Sequence, residues 1–280
     1  MSQTLTIQDH SRDAAGMRYV YPVVSRRAGG VSVGINLNPN NACNWRCIYC
    51  QVPGLTRGGP PPIDLDQLRD ELATMLDGIV AGDFLRRRVP EGQRRLIDVA
   101  FSGNGEPTSA AEFPQAVDIA IEAMERHGLL PGIKLRLITN GSLVDRAAVR
   151  RGLRRIGEVG GEAWFKVDAA DASGIARINS VRLKPETVER RLNECASQCP
   201  TWVQTCLFAI DGQTPSEPDI AALTAFLGRF RGRIGGVHLY GLARPSTQPE
   251  APRLQAVSAA WLEAAACRIR EKGLTVEVSP

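Results

Sequence analysis

The sequence predicts an α/β protein, an incomplete (β/α)6 barrel of the TIM type with a parallel sheet. Three observations lead there. Runs of strand length alternate with amphipathic runs of helix length along most of the chain, the pattern of a parallel sheet with helical crossovers. Polar and unusual residues follow the C-terminal ends of successive strands: a cysteine loop after the first, Ser102-Gly103-Asn104-Gly105-Glu106-Pro107-Thr108 after the second, Thr139-Asn140-Gly141-Ser142 after the third and Lys166-Val167-Asp168 at the fourth. Contributions from many strand ends are the habit of a barrel, whereas an open sheet gathers its site at one crevice where strand order reverses. Finally, 280 residues suffice for one large domain or two small ones, and the alternation runs on without a break.

Residues 1–29 are polar and irregular apart from Tyr19 to Val24, and read as an extension ahead of one domain over 30–280. The β-branched run Val31-Ser32-Val33-Gly34-Ile35-Asn36-Leu37 alternates as a strand. A loop rich in Asn, Cys, Pro and Gly fills 38–62. Asp64, with Gln67 three residues on, opens a helix along Leu65, Leu68, Leu72, Met75 and Ile79. Further strands are expected near 96–102, 133–139, 163–168, 202–209 and 234–240. Helices are expected near 109–127, 145–157, 185–198, 217–230 and 253–272. Ser109 with Glu112 has the form of a capping box, and Pro185 suits a first helical turn.

A hydrophobic fraction of 43% and a charged fraction of 23% exclude a disordered chain, a collagen-like fibre and a small disulfide-stapled module. The net charge of +4 demands no polyanionic partner. Only Lys134, Lys166, Lys184 and Lys272 are lysines among the 34 cations, and the arginines that remain bind carboxylates and phosphates bidentately. The opening MSQTLTIQDHSRDAAG has no apolar stretch of signal-peptide type, and no apolar run approaches membrane-spanning length. A cytoplasmic location without membrane contact is expected.

Seven cysteines, an odd number, do not suggest a disulfide framework in such a chain. Cys43, Cys47 and Cys50 crowd into eight residues of a loop poor in core positions. A redox Cys-x-x-Cys pair would leave Cys43 unexplained, and a structural zinc would lack its fourth ligand nearby. Three thiolates suit an iron–sulfur cluster with one iron left open.

The segment Cys43-Asn44-Trp45-Arg46-Cys47-Ile48-Tyr49-Cys50, with an aromatic just before its last cysteine, resembles the signature of radical S-adenosylmethionine (SAM) enzymes. Ser102-Gly103-Asn104-Gly105-Glu106-Pro107 resembles that family's Gly-Gly-Glu motif, with Asn104 in place of the second glycine. Tyr21-Pro22-Val23-Val24-Ser25-Arg26-Arg27, Gly34-Ile35-Asn36-Leu37, Asp168-Ala169 and Ala243-Arg244-Pro245 are similar to the wyosine-base-synthase-like branch of bacterial iron–sulfur oxidoreductases, so the resemblance covers most of the chain.

The resemblance implies a [4Fe-4S] cluster on Cys43, Cys47 and Cys50, and SAM chelating the open iron. One-electron reduction would then break the S–C5′ bond, and the resulting 5′-deoxyadenosyl radical would abstract a substrate hydrogen. Gly103 and Gly105 would let the backbone approach the methionyl group, and Glu106 would accept from its ammonium. Tyr49 would lie against the adenine. Asp168, with Lys166 and Asn140 nearby, would face the ribose or carboxylate. An electron donor such as flavodoxin or ferredoxin is the implied partner. Apart from the resemblance, the second motif is a glycine turn ending in a capping Thr108 or Ser109, and Asp168 a helix cap.

Other signals mean less. Cys195 and Cys199 share a helix face, while Cys206 lies well inside the next strand, so buried thiols are expected rather than a second cluster. Cys267 is expected in the core. Arginine groups at 86–88 with 94–95, at 150–151 with 154–155, and at 229, 231 and 233 fall where helices return toward strand starts, and read as solvated surface. Arg26, Arg27, Arg57 and Arg244 flank the cysteine loop or follow the last strand, and are the candidates for a small anionic substrate. A tRNA or rRNA base-modifying radical SAM enzyme is the alternative. Archaeal wyosine members use further cysteines and a lysine ahead of the main loop, and residues 1–42 contain neither. A non-catalytic iron–sulfur or zinc-binding protein is the alternative of a different class.

Overall fold

A computed structural model describes residues 4–5, 15–25 and 29–280. Eight strands form one sheet: β1 (Val20–Ser25), β2 (Gly30–Ile35), β3 (Leu96–Phe101), β4 (Lys134–Thr139), β5 (Glu162–Lys166), β6 (Thr201–Cys206), β7 (Gly236–Tyr240) and β8 (Val276–Ser279). Their order across the sheet is their order in the chain. Strand β1 pairs antiparallel with β2, Val20 opposite Ile35, and every later pairing is parallel. The sheet curls into the expected half-barrel.

Helices α1 (Leu65–Val80), α2 (Phe113–Arg126), α3 (Ala147–Glu158), α4 (Ala172–Asn179), α5 (Pro185–Gln198), α6 (Glu217–Gly228) and α7 (Ala259–Arg270) connect the strands. One sheet face, with Val99, Phe101, Leu135, Leu137, Phe165, Val203 and Leu239, is buried with the apolar residues of these helices. Burying that face is a main drive for folding. Period-2 alternation sends Asp98, Arg136, Trp164, Lys166, Gln204, His238 and Tyr240 to the other face, inside the half-barrel.

Toward the strand starts this inner face is closed by paired groups. Arg136 Nε donates to Glu162 Oε1 (2.6 Å), and Arg136 also pairs with Asp98. The guanidinium lies over the Trp164 ring at 4.7 Å, and the His238 ring is stacked on Trp202 with centroids 4.7 Å apart. Charges buried this far need partners of opposite sign, and each has one.

Local chemistry accounts for the element boundaries. Asp64 caps α1 as expected, accepting from Gln67 N at 3.0 Å, and Pro185 begins α5. The expected Ser109–Glu112 capping box is absent: Ser109 Oγ donates to the Glu106 carbonyl (2.6 Å) in the 3-10 turn Pro107–Ser109, and α2 starts only at Phe113. The last helix begins at Ala259 rather than near 253, because Ser258 caps it by accepting from Trp261 N (3.1 Å). This corrects the placement of Cys267. The buried stripe of α7 is Leu262, Ala265, Ala266 and Ile269, and Cys267 points to the exposed side. Strand β1, α4 and β8 were not expected from the sequence. Each is short, and β1 contains Pro22, which an edge strand tolerates.

Candidate active site

The loop after β2 lies over the C-terminal ends of the parallel strands. Trp45, Ile48 and Tyr49 are buried and anchor it, while Cys43, Cys47 and Cys50 are half-buried and in no disulfide. Three segments pin it from above different strands. After β4, Asn140 Nδ2 donates to Asn44 Oδ1 (2.9 Å), and Asn44 Nδ2 donates to Ser142 Oγ (2.7 Å). At the end of α4, the carbonyls of Ile178 and Asn179 accept from Ile48 N (2.9 Å) and Arg46 N (3.3 Å). After β7, Ser246 Oγ donates to the carbonyls of Ile48 (2.7 Å) and Cys50 (3.0 Å). Arg46 adds a bidentate pair with Glu250 at 2.8 and 2.7 Å, which holds the Glu250 carboxyl below its ordinary value. Burial pushes the Cys43 thiol up to about 11 and the Cys47 thiol up to about 12. A thiolate at Cys50 would raise both further.

The turn after β3 is pressed against this loop. A Cβ on Gly103 (φ 138°) would stand 2.4 Å from Asn36 Oδ1, and one on Gly105 would stand 2.2 Å from the Ala42 carbonyl. Both glycines therefore answer to contacts inside the protein. Asn104 is tied in on both sides: its N–H donates to Asn36 Oδ1 (3.1 Å) and its Nδ2 to Asn41 Oδ1 (2.7 Å). Glu106 is 2% exposed, and burial raises its carboxyl pKa. Its Oε1 accepts from Thr108 Oγ1 and Thr139 Oγ1, both at 2.6 Å, while Oε2 accepts from Asn140 N (2.6 Å). Oε2 keeps a lone pair beyond that one bond.

Asp168, at the end of β5, is an interior acceptor. Its Oδ2 accepts from Tyr49 OH (2.6 Å) and Asn179 Nδ2 (2.8 Å), and its Oδ1 accepts from Cys206 N (3.0 Å). The helix cap of this segment is Asp171 instead, which accepts from Ser173 N and Gly174 N. Tyr49 packs on Phe208 with ring centroids 5.4 Å apart. Lys166 Nζ donates to Tyr240 OH (2.5 Å) and stands over the Tyr49 and Tyr240 rings at 5.0 and 5.2 Å. Burial works against this ammonium, but Asp168 and Tyr240 hold its pKa well above the ordinary lysine value.

The structure thus brings Cys43, Cys47, Cys50, Tyr49, Asn104, Glu106, Asn140, Lys166 and Asp168 to one end of the sheet. Arg244 lines a cavity of about 730 Å³ there, with Arg18, Asn36, Asn41, Gln51 and Asn104. Arg57 is engaged with backbone, donating to the carbonyls of Asn44 (3.1 Å) and Ser180. Arg26 and Arg27 lie outside the described residues. Cys195 and Cys199 are buried together in the outer core, whereas Cys206 packs with Ile48, Tyr49 and Phe208 under the loop. Many far-side arginines are in polar pairs: Arg87 with Asp83, Arg150 with Glu194, Arg155 with Asp118 and Glu158, Arg229 with Glu189.

Sequence reasoning missed Asn179, Tyr240, Thr139 and Arg18. For Thr139 and Tyr240 the available signal was a polar residue at the C-terminal end of a strand. Asn179 sits on the helix that the sequence did not announce.

Known proteins resemble this chain in sequence and in fold. Residues 37–224 match the family model described as the radical SAM superfamily. A UPF0026 protein of Helicobacter pylori is 28% identical over 240 residues, covering 83% of this chain and 68% of that one. A UPF0026 protein of Methanocaldococcus jannaschii is 31% identical over 159 residues, covering 56% of this chain and 42% of that one. The chain therefore spans two thirds of the first relative's length and under half of the second's. Among solved structures, TYW1 with a lysine-pyruvate adduct bound superposes with a TM-score of 0.58 at 17% identity, covering 86% of this chain and 73% of that one. At that identity the likeness is one of fold.

Proposed function

The chain belongs to the radical SAM superfamily, whose enzymes use a [4Fe-4S] cluster and SAM, and from that premise we propose that Cys43, Cys47 and Cys50 hold the cluster and that the substrate is a small anionic molecule. The donor set suits the cluster. Three cysteines outside any disulfide share one half-buried loop, and their sulfurs would hold the cluster. Among the described residues no three His, Cys, Asp or Glu side chains gather as they would around a single metal ion, the arrangement a structural zinc would want. When bound, the cluster and SAM supply the 5′-deoxyadenosyl radical. A one-electron donor such as flavodoxin or ferredoxin is the proposed partner.

The protein's part is to bind, orient and exclude. Glu106, its position fixed by Thr108, Thr139 and Asn140 N–H, would accept from the SAM ammonium through Oε2. Asp168, bonded to the Tyr49 hydroxyl, and Lys166, over the Tyr49 ring, would hold the nucleoside end. Gly103 and Gly105 keep the turn close enough to the cysteine loop for Glu106 and the thiols to act on one ligand. The juxtaposition of three half-buried thiols with a buried carboxylate carries this reading.

The substrate class rests on the 730 Å³ cavity. Arg18 precedes β1 and Arg244 follows β7, so guanidinium groups from opposite sides of the curled sheet line one space with several carboxamides. Its described lining holds no acidic residue, whereas the cavity of about 500 Å³ beside Asp168 also carries Asp171, Asp211 and Asp219. A carboxylate or phosphate suits the first far better. Modification of an RNA base is the competing reading, and the ion pairing of the far-side arginines counts against a broad nucleic-acid face.

Anaerobic reconstitution with iron and sulfide, followed by SAM and dithionite, tests the chemistry through release of 5′-deoxyadenosine. Its absence from a fully loaded protein overturns the reading. Arg18→Ala and Arg244→Ala test the substrate class. Both should impair substrate-coupled turnover and leave uncoupled SAM cleavage largely intact. Tight tRNA binding with a steep salt slope, lost on removal of Arg150 and Arg154, favours RNA instead.

A further inference from the structure

We propose that Asn179 raises the reduction potential of the cluster by donating its side-chain amide to Cys47, an inference that rests on Cys43, Cys47 and Cys50 being the cluster ligands. Asn179 is the last residue of α4 and is 2% exposed. Its Nδ2 lies 3.2 Å from Cys47 Sγ and 2.8 Å from Asp168 Oδ2, so the two N–H bonds of one amide serve a thiol and a carboxylate together. The dual contact has a clear electrostatic sense. Asp168 is a negative neighbour that disfavours charge on the Cys47 sulfur, and the amide standing between them favours it.

Docking of α4 does not depend on this side chain. The backbone carbonyls of Ile178 and Asn179 already accept from Ile48 N and Arg46 N, and Ser180 ends the helix in the left-handed region at φ 55°. The amide is therefore available for a purpose other than holding the loop. Hydrogen bonds to cluster sulfurs are among the recognised determinants of iron–sulfur potentials. A donor on sulfur strengthens as the ligand set becomes more negative, so it stabilises the reduced state more than the oxidised one. The step concerned is uptake of one electron from an external carrier, with no bond made or broken. Its effect is on how readily a weak physiological reductant can start the reaction.

The test compares reconstituted wild type, Asn179→Leu and Asn179→Asp, with iron and sulfide content measured first and the midpoint potential then read by EPR at a series of applied potentials. Leu keeps the volume without the donor, and Asp keeps the shape with an acceptor in its place. Expected is a lower potential in both. For Leu, the reduced-to-oxidised ratio at a fixed potential should fall about tenfold, equivalent to about 59 mV for a one-electron couple. An unchanged potential in a fully loaded variant overturns the proposal. Loss of the cluster from both variants with the fold intact by circular dichroism also overturns it, because Asn179 would then hold the loop rather than tune it. A wild type that takes up no cluster defeats the reading of the cysteines instead, and is distinguished by the first measurement.

Discussion

Two groups of thiols lie at different depths of the same barrel. Cys43, Cys47 and Cys50 occupy a loop above the strand ends, half-buried, with Trp45, Ile48 and Tyr49 taking the apolar positions between them. Cys195 and Cys199 sit in the outer core, one on α5 and one at its end, with Thr201 Oγ1 donating to Cys195 Sγ at 3.5 Å. Proton affinity does not tell the groups apart. Burial pushes Cys47 and Cys195 up to about 12 alike. What differs is the backbone. A loop can turn three sulfurs toward one space, whereas a helix and the residue that ends it send theirs into packing that is already filled.

The largest expected effect breaks the comparison outright. Changing Cys43, Cys47 or Cys50 singly to Ala should abolish SAM cleavage and stable cluster binding, while the Cys195, Cys199 and Cys206 variants keep the cluster's absorbance and EPR signal. A cluster that survives loss of all three loop cysteines would show the core group to be ligands too. Next is Glu106→Gln, which removes a charge-assisted bond worth about 1.5–3 kcal/mol. SAM binding measured by calorimetry should weaken roughly 10- to 150-fold at unchanged iron content. Because burial raises the Glu106 pKa, wild-type SAM affinity should be present at neutral pH and lost as pH falls, beginning above the ordinary glutamate range. The Gln variant should lack that acid limb.

Smaller effects sharpen the distinction. Cys195→Ala and Cys199→Ala should each cost about 1–2 kcal/mol in denaturant unfolding, with cluster content unaffected. Cys267→Ser, on the exposed side of α7, should stay within about 0.5 kcal/mol of wild type.

The parallel strands and most of the helices were legible because each satisfies a local rule: β-branched alternation in β2, a capping Asp64 for α1, Pro185 at the start of α5. The cysteine loop was legible because its spacing is unusual. Less legible was everything that depends on which residue faces which. Ser109 and Glu112 have the letters of a capping box, yet the Glu106 carbonyl takes the Ser109 hydroxyl. Cys267 was misplaced because the helix expected from 253 starts only after the cap at Ser258. Asp168 could not be told from a helix cap until Asp171 was seen in that position. In each case the sequence supplies a capable residue and tertiary contact decides its partner.

The two outermost strands run in opposite directions in the sheet, with one practical result. Strand β1 runs antiparallel to β2, so the chain joins it from the strand-end side, Val20 opposite Ile35. Strand β8 runs parallel to β7, so the chain leaves it on that same side, Ser279 opposite Tyr240. A purification tag, fluorophore or surface tether attached just before β1 or after β8 will therefore emerge on the side of the sheet that carries the cysteine loop, where it can hinder a ligand or an electron carrier. The exposed Arg86 and Arg87, on the short helix Phe84–Arg88 ahead of the start of β3, are the better place for such a handle.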